Sequence, residues 1–334
     1  MVITQTPFRM SFFGGGTDYP DFFNEYSGSV ISTTFDKYCI VTASHLPRFF
    51  DYSNQITYSK IERTKTVDEI KHPAVREAMK YMNMKELRMN YEADLPARSG
   101  LGTSSSFSVG MLNAFYALKG KYVDKKQLAK DAIYVERVLC NEEGGIQDQI
   151  AAAFGGLNRI NFSYQGFQVN PMIISSERKQ KLNNNLMLFF TGFSRFSSDI
   201  AKIQTNVTKN KSKIQDLLEM LKLVDEAEKI LTSKCELTEF GTLLDYTWKL
   251  KRGITQKIST DDIDLLYSKA IKAGAKGGKL LGAGGGGFLL FYVELDKQQY
   301  VKEALKDLLY VPFEFENSGT RIMYYKSEDY NFDN

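Results

Sequence analysis

Cysteine and histidine are scarce in this sequence of 334 residues. The three cysteines, Cys39, Cys140 and Cys235, are an odd number without CxxC spacing, which argues against a disulfide framework and against a cysteine-rich zinc site. The two histidines, His45 and His72, belong to no recognisable motif, so catalysis by imidazole has little support. Carboxylates and backbone groups are therefore the favoured source of chemistry.

Blocks of like charge, long apolar runs and prolines are also few or missing. The 43 basic and 40 acidic residues leave a net charge of +3, and no block of five like charges occurs, so the basic arm typical of nucleic-acid binding is lacking. The most apolar segment, Phe288 to Val293, is far too short to span a bilayer, and the first residues show no signal-peptide pattern. We expect a cytoplasmic protein that binds neither nucleic acid nor membrane, and whose ligands include small anions.

Length and periodicity indicate two domains with a cleft between them. We place the first domain over 1–170 and the second over 171–334. Alternating apolar residues predict a half-buried strand over 8–13, with Arg9 on its polar face. Further strands are predicted over 30–44, 87–92, 186–191, 288–294 and 319–325, and helices over 107–118, 125–141, 149–154, 213–231, 261–275 and 298–308.

A loop rich in glycine and hydroxyl groups leads into the helix predicted over 107–118. Small side chains and exposed amides at a helix start make a good phosphate cradle, and the hydroxyl of Thr103 or Ser104 is suited to ligate Mg²⁺. The plainer alternative, that the hydroxyls only cap the helix, stays open on the loop alone. No Lys-Ser or Lys-Thr follows the glycines, so this is not a GxxxxGK[ST] loop. The candidate phosphate-binding residues are Ser99, Gly100, Leu101, Gly102, Thr103, Ser104 and Ser105.

A second glycine-rich segment lies between Gly282 and Gly287. Its spacing satisfies GxGxxG, but the residues that follow predict a strand rather than the helix that a dinucleotide-binding fingerprint opens. A plain hairpin turn needs one or two glycines, whereas this segment has five. We therefore interpret it as a loop that packs closely beside the ligand-binding loops.

Two carboxylates are candidates for chemistry. Glu136 borders the apolar stripe of the helix predicted over 125–141, so it needs a partner, and both a metal ion and an arginine salt bridge are open. Asp148 follows two glycines and is placed to cap the helix predicted over 149–154.

A further segment near the N-terminus consists of the strand that carries Pro7-x-Arg9 and the glycine-rich residues 14–19. Together with the segments above, it resembles the motifs of the GHMP kinases, the family of galactokinase, homoserine kinase, mevalonate kinase and phosphomevalonate kinase. The motifs occur in the family's order and cover roughly Pro7 to Phe288. The resemblance implies an α+β fold of two lobes, an N-terminal ribosomal-protein-S5-domain-2-like lobe and a C-terminal ferredoxin-like lobe. It also implies an enzyme that transfers the γ-phosphoryl group of ATP to a hydroxyl, with Mg²⁺ as cofactor.

The resemblance assigns roles to single residues. Ser104 and Glu136 match the family's Mg²⁺ ligands, Asp148 its catalytic aspartate, and Arg9 the basic residue beside that aspartate. The residues it assigns to the acceptor sugar are Gly15, Gly16, Thr17, Asp18, Gly284 and Gly285.

One departure from the family pattern concerns the substrate. Galactokinases carry Gly-Glu-His-Thr-Asp where this chain has Gly-Gly-Gly-Thr-Asp at 14–18, so galactose is disfavoured and a larger sugar has room. The glycine form resembles kinases of D-glycero-D-manno-heptose 7-phosphate, which phosphorylate the anomeric C1 hydroxyl to give the 1,7-bisphosphate. Such a substrate carries its own phosphate and needs a second anion pocket, for which Arg195, or Lys251 with Arg252, is a candidate.

Other functions remain open from the sequence. Within the family, the alternatives are another sugar-1-kinase of the galactokinase or fucokinase type, or a mevalonate-type alcohol kinase. Outside catalysis, the alternative is a silent ligand-binding relative, against which Ser104, Glu136 and Asp148 argue. An oxidoreductase rests only on the formal GxGxxG match.

Overall fold

Thirteen strands and ten α-helices occur in the part of the chain that the structure, a computed structural model, describes: residues 1–97, 99–192, 214–254, 258–282, 284 and 286–327. The strands are β1 (Val2–Phe13), β2 (Gly28–His45), β3 (Asn54–Thr57), β4 (Ile61–Thr64), β5 (Leu87–Ala93), β6 (Asn158–Ser163), β7 (Gly166–Pro171), β8 (Leu186–Gly192), β9 (Gly277–Leu280), β10 (Gly287–Tyr292), β11 (Leu309–Val311), β12 (Phe315–Glu316) and β13 (Arg321–Tyr325). The helices are α1 (Pro20–Tyr26), α2 (Pro73–Tyr81), α3 (Thr103–Leu118), α4 (Lys125–Tyr134), α5 (Gln147–Phe154), α6 (Ser176–Asn184), α7 (Ile214–Thr232), α8 (Thr238–Ile254), α9 (Asp261–Lys272) and α10 (Gln298–Ala304).

The larger sheet has nine strands and is built around β2, which is 18 residues long. β2 pairs antiparallel with β1, with β5 along its C-terminal half and with β6 along its N-terminal half. Two strands from the far end of the chain join the same sheet, because β12 pairs with β2 and β13 with β1. The predicted boundary between 170 and 171 stays a prediction, and it separates these two strands from the sheet they complete.

The first strand differs from its prediction. It begins at Val2, and from Thr6 onward it is buried on both faces rather than on one. The apolar face packs against α8, where the ring centroids of Phe12 and Phe240 lie 5.4 Å apart. The polar face, with Arg9 and Ser11, is buried as well. These two side chains line the cavity between the two lobes.

Helices α2 to α5 pack on one side of the larger sheet and enclose its main core. The fit of α3 on β1 is close, since a Cβ at Gly110 would lie 2.6 Å from the Thr6 hydroxyl. The helix predicted over 125–141 is interrupted: α4 ends at Tyr134 and a π-helical turn, Val135–Leu139, follows. Turns of this kind occur often at functional sites.

The smaller sheet is antiparallel, in the order β11-β8-β10-β9, and carries α7 to α10. Sheet and helices together form the C-terminal lobe of the α+β fold that the family resemblance implies. The elements predicted over 186–191, 213–231, 261–275, 288–294, 298–308 and 319–325 correspond to β8, α7, α9, β10, α10 and β13, apart from residue 213, which lies outside the described residues. Among the described residues, no helix has the combined length and apolar character needed to cross a membrane.

Candidate active site

A cavity of about 240 Å³ lies between the two lobes. Both lobes contribute side chains to its wall, and most of these side chains are polar. The first lobe supplies Arg9, Ser11, Gly15, Gly16, Asp18, Tyr19, Ser104, Ser105, Glu136, Arg137, Glu142, Glu143, Gly144, Gly145, Gln147, Asp148 and Gln149, and the second supplies Lys251, Lys279 and Gly282.

Asp148 and Arg9 form a two-pronged ion pair at the centre of this wall. Arg9 donates from Nε to Oδ1 and from Nη2 to Oδ2 of Asp148, both at 2.7 Å. The arginine is buried, whereas the Asp148 side chain keeps 26% of its surface exposed. Asp148 lies within the first turn of α5, and its carboxylate does not cap that helix, so the capping alternative is wrong. The carboxylate is held by a fixed cation and faces the cavity.

Arg9 also contacts the segment predicted to bind phosphate, residues 99–105, which comprises a loop and the first residues of α3 and is called the phosphate loop after that prediction. Its Nη1 donates to Gly100 O at 2.8 Å, and its backbone N–H donates to Leu101 O at 3.1 Å. A Cβ on Gly102 would lie 3.1 Å from the Arg9 side chain and 3.5 Å from Asp148 Oδ2. One strand residue thus ties the loop to the carboxylate.

The phosphate loop ends at a helix start with free amides. Gly100 and Gly102 have φ of +83° and +71°, which other residues adopt at a cost. No side chain among the described residues caps α3, so its first-turn N–H groups keep no capping acceptor, and the alternative of hydroxyl caps is wrong. Ser104 is exposed and lines the cavity, whereas two other residues of the loop, Ser99 and Leu101, are buried.

The second glycine segment presses on this loop from the other lobe. A Cβ at Gly282 would lie 2.4 Å from Gly100 Cα, and one at Gly287 would lie 2.4 Å from Ser99 O. These contacts, and the pairing of β10 with β9, confirm a tightly packed loop between strands instead of a dinucleotide-binding turn. Gly284 packs against Ile258, and Gly285 lies outside the described residues. Of the described glycines in this segment, Gly282 lines the cavity.

Glu136 is buried with half of its carboxylate unsatisfied. Oε2 accepts hydrogen bonds from Ser105 Oγ at 2.9 Å and from Gln149 Nε2. Oε1 is buried and makes no hydrogen bond of normal geometry. Burial raises the pKa of Glu136 to about 7 and outweighs the Ser108 hydroxyl nearby, which lowers that pKa. No ion pair of Glu136 occurs in the described part of the chain, so the arginine salt bridge is wrong. Sequence reasoning missed Ser105 as a contact of Glu136.

This oxygen provides a test of whether Mg²⁺ fits. Glu136, with one buried carboxylate oxygen that makes no hydrogen bond of normal geometry, and Ser104, with its hydroxyl, line the same cavity and are suitable ligands for a hard cation. No group of three or more His, Cys, Asp or Glu side chains gathers at one point within the described ranges. Mg²⁺ ordinarily needs only one or two carboxylates when substrate phosphates and water supply the rest, so the residues present fit the ion.

Asp18 is the most buried carboxylate of the cavity wall. It accepts hydrogen bonds from the backbone N–H of Gly16 at 3.0 Å and of Gln147 at 3.3 Å. Burial, and then the charge of Asp148, raise the pKa of Asp18. Gly145 makes room for it, because a Cβ there would lie 1.8 Å from Oδ2, a requirement that the sequence did not reveal.

Thr17 has a different place from the one predicted for it. Its hydroxyl donates towards the carbonyl oxygens of Gly14 at 2.8 Å and Ser29 at 2.9 Å, and accepts from Ser29 N–H. Thr17 is fully buried and does not line the cavity. It holds the loop that presents Gly16 and Asp18.

Comparison with known proteins identifies the family. The profile of the GHMP kinases N terminal domain matches residues 68–156, and that of the GHMP kinases C terminal domain matches residues 232–311. The chain is 30% identical to D-glycero-alpha-D-manno-heptose 7-phosphate kinase of Campylobacter jejuni, over 95% of this chain and 97% of that protein. The chain belongs to the GHMP kinase family. It is accordingly an ATP-dependent phosphotransferase that acts on a hydroxyl acceptor.

Two further proteins are similar to this GHMP kinase, one in sequence and one in structure. Galactokinase of Pyrococcus furiosus is 23% identical, over 91% of this chain and 92% of that protein. The crystal structure of a D-glycero-D-manno-heptose 1-phosphate kinase from Bacteroides thetaiotaomicron matches with a TM-score of 0.79 and 23% identity, covering 98% of this chain and all of that one. At that identity the structural match shows the shared fold.

Two lysines of the second lobe complete the site of this GHMP kinase. Lys251 Nζ donates to Gly282 O at 2.5 Å, and Lys279 Nζ donates to Phe12 O at 2.8 Å. Both are buried, and burial lowers the pKa of Lys251 to about 8 and that of Lys279 well below its usual range. Arg252 pairs with Asp264 instead and does not line the cavity. Arg195 lies outside the described residues.

Proposed function

We propose that this GHMP kinase transfers the γ-phosphoryl group of ATP to the anomeric C1 hydroxyl of D-glycero-D-manno-heptose 7-phosphate, giving the 1,7-bisphosphate. The observation that carries the proposal is the Asp148 carboxylate, fixed by two Arg9 hydrogen bonds, partly exposed to the cavity and adjacent to the phosphate loop. The Campylobacter relative supports the choice of sugar.

Asp148 accepts the proton in this reaction. The acceptor hydroxyl oxygen forms a bond to the γ-phosphorus, the bond from that phosphorus to the bridging oxygen breaks, and ADP leaves with the electron pair. Arg9 keeps the carboxylate oriented through its two hydrogen bonds and neutralises negative charge nearby. Geometry of this kind favours general base catalysis.

The phosphates of ATP are proposed to bind at residues 99–105. The α3 amides that no side chain caps supply donors, and the helix dipole favours an anion there. Ser104 and Glu136 would hold Mg²⁺, which neutralises charge on the phosphates when it is bound.

The acceptor is proposed to lie against Gly15, Gly16 and Asp18. A Cβ on Gly15 would have no neighbour within 4 Å, so this wall has open space for a seven-carbon sugar. Asp18 is held by backbone donors and is suited to accept hydrogen bonds from sugar hydroxyls. Gly284, Gly285 and Arg195 remain predictions for the sugar and its phosphate, as does a cytoplasmic site of action.

A panel of acceptors with ATP tests the proposal. We expect heptose 7-phosphate to react far better than galactose, fucose, mannose or mevalonate, and phosphorus NMR should place the new phosphate at C1. Equal reaction of the unphosphorylated heptose would remove the 7-phosphate from the assignment. Turnover of none of the acceptors would favour a silent ligand-binding relative.

A further inference from the structure

One wall of the cavity carries a buried lysine, Lys251, that forms no ion pair with a carboxylate in the described part of the chain. Lys251 lies in the last turn of α8 and is 5% exposed. An ammonium has three donors, and the hydrogen bond to Gly282 O is the one that the described residues supply. Lys251 lines the cavity, and its remaining N–H groups have no acceptor among the residues that the structure describes.

The neighbouring basic residues of α8 behave differently. Lys249 is largely exposed and pairs with Asp245, and Arg252 pairs with Asp264. Lys251 is thus the basic residue of this helix segment that points into the cavity rather than to a surface partner.

The charges around Lys251 favour the binding of an anion in the cavity. Arg9 acts on Lys251 unfavourably, while Asp18 and Asp148 act favourably. Lys251 in turn acts unfavourably on the buried Lys279. Asp148 is already engaged by Arg9, and Asp18 by backbone N–H groups. Burial of an ammonium beside other cations is costly, and a negatively charged ligand in the cavity offsets that cost.

We infer that Lys251 is a phosphate-binding residue of the reaction centre, whose ammonium contacts the phosphoryl group during its transfer. This inference rests on the proposed function, in which a phosphoryl group is transferred from ATP to a sugar hydroxyl within this cavity. Lys251 forms no covalent bond: the acceptor oxygen bonds to phosphorus, the bridging oxygen leaves with ADP, and the ammonium keeps its proton. Its contribution is charge stabilisation on the oxygens that do not react.

The position of Lys251 favours the transferred phosphate over a phosphate on the acceptor. Its hydrogen-bond acceptor, Gly282 O, belongs to the residue that packs against Gly100 of the phosphate loop. Its electrostatic neighbours include Arg9 and Asp148, the pair proposed to act on the reacting hydroxyl. The first contact lies on the ATP side and the second beside the acceptor hydroxyl, so Lys251 lies where the phosphoryl group passes between the two substrates.

Kinetics with two charge variants and a control test the inference. Lys251→Met should lower kcat by at least ~10²-fold with both phosphorylated and unphosphorylated heptose, as loss of one electrostatic donor does, while the KM for ATP changes little. Lys251→Arg should restore part of the activity. The control, Lys249→Met on the same helix, should react as the wild type does. A rise only in the KM for the phosphorylated sugar would overturn the inference, because the ammonium would then serve the substrate's own phosphate.

A binding measurement separates electrostatic contact from a structural role. MgADP with aluminium fluoride imitates the phosphoryl group in transfer, and Lys251→Met should bind it at least ~10-fold more weakly than the wild type while binding MgADP alone equally well. Equal affinity of variant and wild type for the fluoride complex overturns the inference. If the wild type phosphorylates no acceptor, the proposed function fails, and the fluoride comparison still decides the role of Lys251.

Discussion

Charged residues around the cavity differ in how many of their hydrogen-bonding groups have a partner. The carboxylate of Asp148 and the guanidinium of Arg9 satisfy each other with two bonds. Within the described ranges, one buried oxygen of Glu136 makes no hydrogen bond of normal geometry, and Lys251 has a single carbonyl acceptor. Folding alone gives no reason to bury half-satisfied charges, so we assign the incomplete residues to the binding of ligands.

Asp148→Asn tests the base. The amide cannot take up the proton of the hydroxyl, so kcat should fall at least ~10²-fold while ATP binding is nearly unchanged. One of the two bonds to Arg9 is lost, so stability should decrease by about 1–3 kcal/mol. Turnover assays and thermal unfolding at one pH measure both effects. Wild-type kcat in this variant would exclude Asp148 from the mechanism.

Glu136→Gln tests the metal ligand. A neutral amide is a poorer ligand for Mg²⁺, so the concentration for half-maximal activity should rise at least ~10-fold. Because Gln carries no charge to bury, the melting temperature of the metal-free protein should not fall. An unchanged Mg²⁺ requirement together with lower stability would make the residue structural. Mg²⁺ titrations of activity and calorimetric scans decide between them.

Lys251→Met should stabilise the ligand-free protein. The pKa of Lys251 is lowered to about 8 by burial, so its protonated form costs stability at all pH values below 8, and the cost fades as pH rises toward 10.5. Removing the charge should increase the free energy of unfolding at pH 7 by an amount on the order of 2 kcal/mol, after the lost hydrogen bond to Gly282. Denaturant unfolding at pH 7 and pH 10 should show a gain that shrinks with pH. A gain of constant size would assign the effect to packing.

Motif residues were predictable, whereas their supporting contacts were not. Ser104, Glu136, Asp148 and Arg9 were predicted from short motifs that resemble those of the GHMP kinases, and the structure brings all four to one cavity. Lys279 depends on contacts far apart in the chain, so no local pattern shows it. Lys251 was a candidate for the substrate's own phosphate, and a further signal existed, because it continues the buried α8 stripe of Phe240, Leu244 and Trp248 where an apolar residue is expected.

Several secondary elements with strong periodicity were predicted, but α8 was missed despite its apolar stripe, and interruptions were missed as well. Hydrophobic spacing of 3.6 located α3, α7 and α9, while the π-helical turn after α4 leaves that spacing almost unchanged and was read as continued helix. Short strands such as β3 and β12 carry too few residues for a pattern. Their positions follow from pairing with β5 and β2.

The contact between the two glycine-rich loops gives a prediction about how the secondary elements pack. Gly282→Ala should destabilise the protein, by about 1–2 kcal/mol from its φ of +82° alone, and further because its Cβ would meet Gly100. Gly15→Ala is the matched control, since its Cβ would enter open space and its unfolding should match the wild type. Denaturant unfolding of both variants measures the difference. Equal stability of the two variants would mean that the loops do not press on each other.

At the scale of the whole molecule, the predicted domain over 1–170 should not fold by itself. It would lack β12 and β13, and the apolar face of β1 would lose Phe240 of α8. We expect the isolated fragment to retain some secondary structure and to bind the dye ANS, without cooperative unfolding. Near-ultraviolet circular dichroism and thermal scans, with the full chain as reference, provide the measurement. A cooperative transition would support 170 as a true domain boundary.

The pairing of β1 with β13 also has a consequence in time. Gln5 lies opposite Arg321, so a ribosome must add more than 300 residues after the first strand before its neighbour exists. At ~5–20 residues per second, the edge of β1 waits roughly 15–65 s for that neighbour during synthesis. An unpaired edge is open to pairing with other chains, so the nascent protein passes through a period of exposure that the finished one does not have. Slower growth at low temperature lengthens this wait, whereas chaperones that cover strand edges shorten its effect.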